Sequence, residues 1–173
     1  MRYDYIYIDM ASEGFCTTNT ALPYDSDLSV MRVGIVLTEW NADITEALLE
    51  GARTTLLELG VQNNNITVMR VPGAFELVYG CAKYMRERYC DAIIALGCVI
   101  KGDTPHFDYI CQAATQGLTE LNLDAKIPIV NGVLTTLTKA QAIERTTGAL
   151  GNKGKEFALT AAKMFDFSLE LQN

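Results

Sequence analysis

Hydrophobic and polar positions fall into a regular order from Met31 onward. MRVGIVLT (31–38) is a short apolar run rich in β-branched residues and predicts a buried strand. After it, Ile44, Ala47, Leu48, Leu56 and Leu59 stand mostly three, four or eight apart, the spacing of one helical face, and Gly60 ends the pattern. Asn41 and Asp43 both suit the start of this helix, and Asp43 with Glu46 has capping-box spacing. NITVMRV (65–71) predicts a second strand, and Gly73 to Tyr89, opened by Pro72, a second helix. A third strand is expected over Asp91 to Ile100, and a third helix from Pro105 to about Leu121. IPIVNGVL (127–134) predicts a fourth strand, followed by helices near 139–147 and 152–165. Thr138 with Gln141 makes a capping box for the first of these, and Gly148 ends it.

Strand followed by helix, repeated along the chain, predicts an α/β domain of three layers around a four-stranded parallel sheet. The strand segments read as apolar on both faces, as expected when helices cover both sides of such a sheet. Residues 1–29 differ: they are rich in Thr, Ser, Asp and Tyr, contain Pro23 and show no helical period. Alternating Tyr3, Tyr5 and Tyr7 allow a short strand there. We read 1–29 as an arm that leans on a neighbouring subunit, and 30–173 as one domain. Met10 and Met31 are alternative start positions.

Composition narrows the function classes. The chain has 173 residues and 19.0 kDa, with 49% hydrophobic and 20% charged residues, a globular balance. A net charge of −7 and a pI near 4.7 exclude nucleic acid and anionic membrane surfaces as natural partners, because both need clustered Lys and Arg. The five cysteines, Cys16, Cys81, Cys90, Cys98 and Cys111, have no CxxC spacing, and His106 is the single histidine. Free thiols in a reducing compartment are expected, and no metal site. AIIALGCVI (92–100) is too short to span a bilayer. The opening MRYDYIYID lacks a basic apolar leader, so a soluble cytoplasmic protein is expected.

In a parallel sheet ligands bind beyond the carboxyl ends of the strands, which directs attention to four loops. In IKGDTPH, Thr104 suits an N-cap, Pro105 the first helical position, and His106 the second. The free amides of that turn can receive an anion such as phosphate. The helix dipole disfavours a positive ring there, which suits His106 to act as a base near neutrality. A capped helix with an exposed polar residue fits the same spacing. In VPGAFE, Glu76 either complements a helix dipole or accepts hydrogen bonds from a chain of hydroxyls. In TEWNAD, the single tryptophan, Trp40, either stacks on a flat heterocycle or packs in the core or an interface. Arg145, in the last turn of its helix, and Lys153, in GNKG, are either an anion-binding pair or ordinary surface cations.

The strings VPGAFEL, GCVIKGDTPHFDYI, NGVLT, QAIERT and GNKGKEFALTA, in this order, closely resemble lumazine synthases over about residues 31 to 165. The resemblance implies a flavodoxin-like subunit, assembled into homopentamers and in many members into icosahedral 60-subunit shells, with active sites shared between subunits. It implies a transferase of riboflavin biosynthesis that condenses 5-amino-6-(D-ribitylamino)uracil with 3,4-dihydroxy-2-butanone 4-phosphate. The products are 6,7-dimethyl-8-ribityllumazine, phosphate and water, and no metal or organic cofactor takes part. Association with riboflavin synthase fits the same resemblance.

Carried onto this chain, Trp40 takes the place of the aromatic residue that stacks on the pyrimidine, usually a phenylalanine. Asn41, Ala74, Phe75 and Glu76 line the ribityl chain, and Val99 and Ile100 flank the ring. Gly102, Asp103 and Thr104 hold the phosphate. From the adjacent subunit, Arg145 reaches the phosphate and Lys153 lies near the pyrimidine, while His106 moves protons. Asn131 departs from the pattern: many members carry there an aromatic residue that packs on the ring. Two rivals remain on the residues alone. One is a binding or shell protein that holds a flavin or lumazine without turnover. The other is an FMN-binding flavodoxin, which usually has a Ser/Thr/Gly-rich loop after its first strand where TEWNAD stands.

Overall fold

Among the described residues, four strands alternate with five helices along the chain. The structure is a computed structural model that describes residue 22 and residues 26–87, 89–124, 126–148 and 151–171. The elements are β1 (Val33–Thr38), α1 (Ala42–Glu58), β2 (Ile66–Val71), α2 (Glu76–Glu87), β3 (Ala92–Ile100), α3 (His106–Asp124), β4 (Ile129–Thr136), α4 (Lys139–Thr147) and α5 (Lys153–Glu170). All strand pairs are parallel, in the order β2-β1-β3-β4. This is the flavodoxin-like α/β architecture expected.

Two apolar clusters fill the space between the layers. Val33, Ile35 and Leu37 of β1, with Ile94 and Leu96 of β3, pack against Leu48 and Leu56 of α1 and Ala158 and Phe165 of α5. Val36, Ile93 and Ala95 face the opposite way, against Leu77 and Cys81 of α2 and Ala114 and Leu118 of α3. Successive side chains of a strand point to opposite faces, so a strand feeding both clusters must be apolar throughout. That holds for β1, buried along its whole length, and for most of β3. It fails for the edge strands: Thr67, Met69 and Arg70 of β2 are exposed, as are Asn131 and Thr135 of β4. The expectation of two apolar faces is corrected to the central pair, because an edge strand has a neighbour on one side only.

Several boundaries also move. Asn41 precedes α1 with φ 57° and ψ 46°, and its side chain forms no cap. Asp43 makes no capping box either, since its carboxylate binds Lys139 Nζ at 2.7 Å. α2 begins at Glu76 and not at Gly73. α3 begins at His106: the Pro105 carbonyl accepts from the amides of Asp108 (3.0 Å) and Tyr109 (3.4 Å), and so takes the capping position expected of Thr104. One half of the capping box of α4 is present, with Thr138 Oγ1 accepting from the Gln141 amide at 3.2 Å, while the return bond goes one residue further back. Gln141 Oε1 accepts from the Leu137 amide at 2.8 Å.

The expected strand around Tyr3, Tyr5 and Tyr7 lies outside the described residues. Further along, the chain is already fastened to the domain before β1. The Ser26 amide donates to the buried Asp166 carboxylate of α5 at 3.0 Å, and Leu28 and Met31 are buried in the larger cluster. None of the helices among the described residues is long and apolar enough to cross a membrane.

Candidate active site

The carboxyl ends of β1, β2 and β3 open into one cleft of about 640 Å³. Its walls are set by backbone bonds that continue the sheet into the loops. The Glu39 amide donates to the Val71 carbonyl at 2.9 Å, and the Trp40 amide to the Pro72 carbonyl at 3.1 Å. The β1–α1 and β2–α2 loops are thereby joined, which holds Trp40 and Phe75 on the rim. Trp40 is 74% exposed and Phe75 59%. Aromatic surface this open is costly unless a ligand or another chain covers it.

Asn41 forms the hinge of this rim. Its left-handed backbone, a conformation Asn tolerates better than most residues, turns the chain into α1. Its carboxamide Nδ2 donates to the Cys98 carbonyl at 2.9 Å. A residue that reads in sequence as a helix cap is thus a brace between β1 and β3.

Ala74, Phe75 and Glu76 form the second wall, with Glu76 opening α2. Val99 and Ile100, half-buried at the end of β3, form the floor. His106, exposed on the first turn of α3, closes the third side. The structure therefore gathers eight of the sequence-predicted residues: Trp40, Asn41, Ala74, Phe75, Glu76, Val99, Ile100 and His106. It adds Gly73, Cys98 and Ile110. Ile110 follows His106 by four, one helical turn on the same face, a signal present in the sequence. Cys98 has none, because it reads as one more apolar strand residue.

The other predicted residues do not line the cleft of their own chain. Gly102, Asp103 and Thr104 lie exposed on the loop leading to α3. A Cβ at Gly102 would meet open space, so neither packing nor backbone conformation requires glycine there. Arg145 sits in the last turn of α4, where Nη1 donates to the Gln141 carbonyl at 2.9 Å. Lys153 Nζ binds both oxygens of Glu156, at 2.8 and 2.9 Å. Asn131 lies exposed on β4, its Oδ1 accepting from the Val133 amide at 3.2 Å. Glu76 and His106 are the ionisable groups of the lining besides the Cys98 thiol, and no Lys or Arg is among its residues. A bound phosphate would need cations from beyond this wall.

Cys81, Cys90, Cys98 and Cys111 are free thiols. Burial pushes the Cys81 thiol up to about 12, aided by nearby Cys90, and those of Cys90 and Cys98 up to about 11. A thiol whose folded value is raised is stabilising while protonated. That contribution is present below about pH 8.5, the ordinary thiol value, and is lost as pH rises toward 11 and 12. At pH 8 the three thiols are expected to resist a maleimide in the native protein and to react once denaturant is added, as counted by mass. Rapid labelling of all three in the native state would contradict this burial. Among the described residues, no group of three His, Cys, Asp or Glu side chains is arranged to hold a metal ion.

The family profile of 6,7-dimethyl-8-ribityllumazine synthase matches residues 30–168. The 6,7-dimethyl-8-ribityllumazine synthase of Phocaeicola vulgatus is 53% identical over 142 residues, which cover 82% of this chain and 84% of that one. The enzymes of the same name from Parabacteroides distasonis and Bacteroides fragilis are each 55% identical, covering 82% and 79% of this chain and 89% and 96% of their own. The matched region contains the whole sheet and every residue that lines the cleft. The chain belongs to the 6,7-dimethyl-8-ribityllumazine synthase family.

Proposed function

We propose that the family's condensation takes place in the cleft at the carboxyl edge of the sheet, with the site completed by a second copy of the chain. The family acts in riboflavin biosynthesis and its members are transferases. The observation that carries the proposal is the composition of the wall: an exposed indole, a carboxylate at a helix start and an imidazole at another, around a floor of strand-end backbone. Trp40 stacks on the pyrimidine. Asn41, Ala74, Phe75 and Glu76 line the ribityl chain, whose hydroxyls donate to Glu76. Val99 and Ile100 offer backbone groups to the ring.

The amine of 5-amino-6-(D-ribitylamino)uracil attacks the ketone of 3,4-dihydroxy-2-butanone 4-phosphate, and loss of water leaves an imine. Removal of a proton from carbon then expels phosphate and leaves an enol that tautomerises to a ketone; the ribitylamino nitrogen attacks that carbonyl, and loss of a second water closes the lumazine ring. His106 moves the proton. The amides of Gly102, Asp103 and Thr104, with the start of α3, hold the departing phosphate. Arg145 reaches that phosphate from the adjacent subunit, and Lys153 of that subunit meets the pyrimidine. The lack of any Lys or Arg in the lining of a single chain supports such sharing. Asn131 faces the same interface and offers a hydrogen bond where an aromatic ring is usual.

A homopentamer or a 60-subunit icosahedral shell, a cytoplasmic location and association with riboflavin synthase complete the reading. The arm ahead of Ser26 belongs to that assembly, and the single domain takes in Ser26 and Leu28, which join its core. Mixing the two substrates with the purified protein tests the activity: lumazine fluorescence should rise well above the uncatalysed rate, and no excess would refute it. In the same assay Arg145→Lys should raise KM for the phosphorylated substrate on the order of tenfold, the scale of one hydrogen bond to a charged group. The KM for the pyrimidine should change less. Native mass should give a multiple of five chains.

A further inference from the structure

Lys153 does not stand as a free positive charge. Its Nζ donates to both carboxylate oxygens of Glu156, and the two side chains are only 22% and 14% exposed. A lysine at the first position of α5 is opposed by the helix dipole, so a local partner must hold it. The turn that carries the pair is itself fixed. Asn152 Oδ1 accepts from the Gly154 amide at 2.7 Å, and its Nδ2 donates to the Ala47 carbonyl of α1 at 2.8 Å. The start of α5 therefore cannot slide along α1 without breaking the bond to Ala47.

An ammonium has three donors. Two are taken by Glu156, which leaves one N–H on a group whose charge is already compensated. We infer that Glu156 is a positioning residue for Lys153: it cancels the charge and aims the remaining N–H at a neutral acceptor, such as a ring carbonyl of a pyrimidine-type substrate. Lys153 then discriminates against anions, and the grip on phosphate falls to Arg145. This deepens the role of Lys153 given above and rests on it.

Glu156→Gln tests the idea, because it keeps the side chain's size and removes its charge. The freed ammonium should bind inorganic phosphate about three- to tenfold more tightly, measured by calorimetry on the full-length protein, the scale of one partly exposed charge pair. The pyrimidine KM should rise by a similar factor, with kcat changing less. Glu156→Asp should bring both values back toward those of the parent protein. Adding Lys153→Gln to Glu156→Gln should abolish the gain in phosphate affinity. Unchanged or weaker phosphate binding by a folded Glu156→Gln protein would overturn the inference. If that variant does not fold, Lys153→Gln alone decides: it bares the Glu156 carboxylate and should weaken phosphate binding severalfold, and unchanged binding would refute the idea. If the parent protein makes no lumazine, the assigned activity fails, while the phosphate titration still judges Glu156.

Discussion

Replacing His106 with alanine should lower kcat by about 10²- to 10⁴-fold, the usual worth of general acid–base assistance, and leave a measurable residual rate. That loss corresponds to about 3 to 5 kcal/mol of barrier. The residual rate has a physical source, since holding two substrates in reacting geometry accelerates condensation without any proton carrier. His106 is exposed on the first turn of α3, and the Pro105 carbonyl already accepts the opening backbone bonds. The substitution should therefore cost no more than about 0.5 kcal/mol of stability, so the rate change reads chemistry and not folding. Steady-state kinetics with a melting curve on the same sample separates the two. A kcat within twofold of the parent would remove His106 from proton transfer.

Gly154→Val should destabilise the domain by about 3 kcal/mol or more, the upper range for overpacking a close contact. Here α5 crosses α1 so closely that a Cβ on Gly154 would collide with the Leu48 carbonyl. A side chain can rotate away, but a helical carbonyl cannot, so the helices must part. Parting them breaks the bond from Asn152 to the Ala47 carbonyl and opens the cluster built on Leu48, Ala52, Ala158 and Phe165. For a domain of this size the melting temperature should fall by about 10 °C. Gly51→Ala meets the Asn152 side chain first and should cost less, mainly the cap that Asn152 gives α5. Because assembly shifts apparent stability by mass action, both variants should be melted at one protein concentration. Equal melting of Gly154→Val and the parent would show that the helix contact is not tight.

The same glycine changes the meaning of GNKG. As a string it left Lys153 as half of an anion-binding pair or as an ordinary surface cation. In three dimensions its second glycine is a point of close approach between two helices, Asn152 is the staple across them, and Lys153 is neutralised by a residue one turn away. Each of these facts involves a residue of α1 or the geometry of a helical turn, and none is written in the four letters themselves.

The order of strands and helices, the parallel sheet and the loops that carry the cleft are legible in period and order: apolar runs mark strands, and strand-end loops of a parallel sheet converge on one edge. Of the eight predicted residues in the lining, Trp40, Glu76 and His106 are candidates on residue type and place, and the other five come from the family resemblance. Packing in three dimensions settled the rest. As edge strands, β2 has no fully buried residue and β4 exposes Asn131 and Thr135, although their letters look like those of β1. A long-range bond to Cys98 took the carboxamide of Asn41 away from capping. Arg145, Lys153 and Asn131 fell outside the cleft of their own chain. Local propensity depends on neighbours in sequence, whereas burial, hydrogen-bond partners and shared sites depend on neighbours in space, which a one-dimensional pattern does not contain.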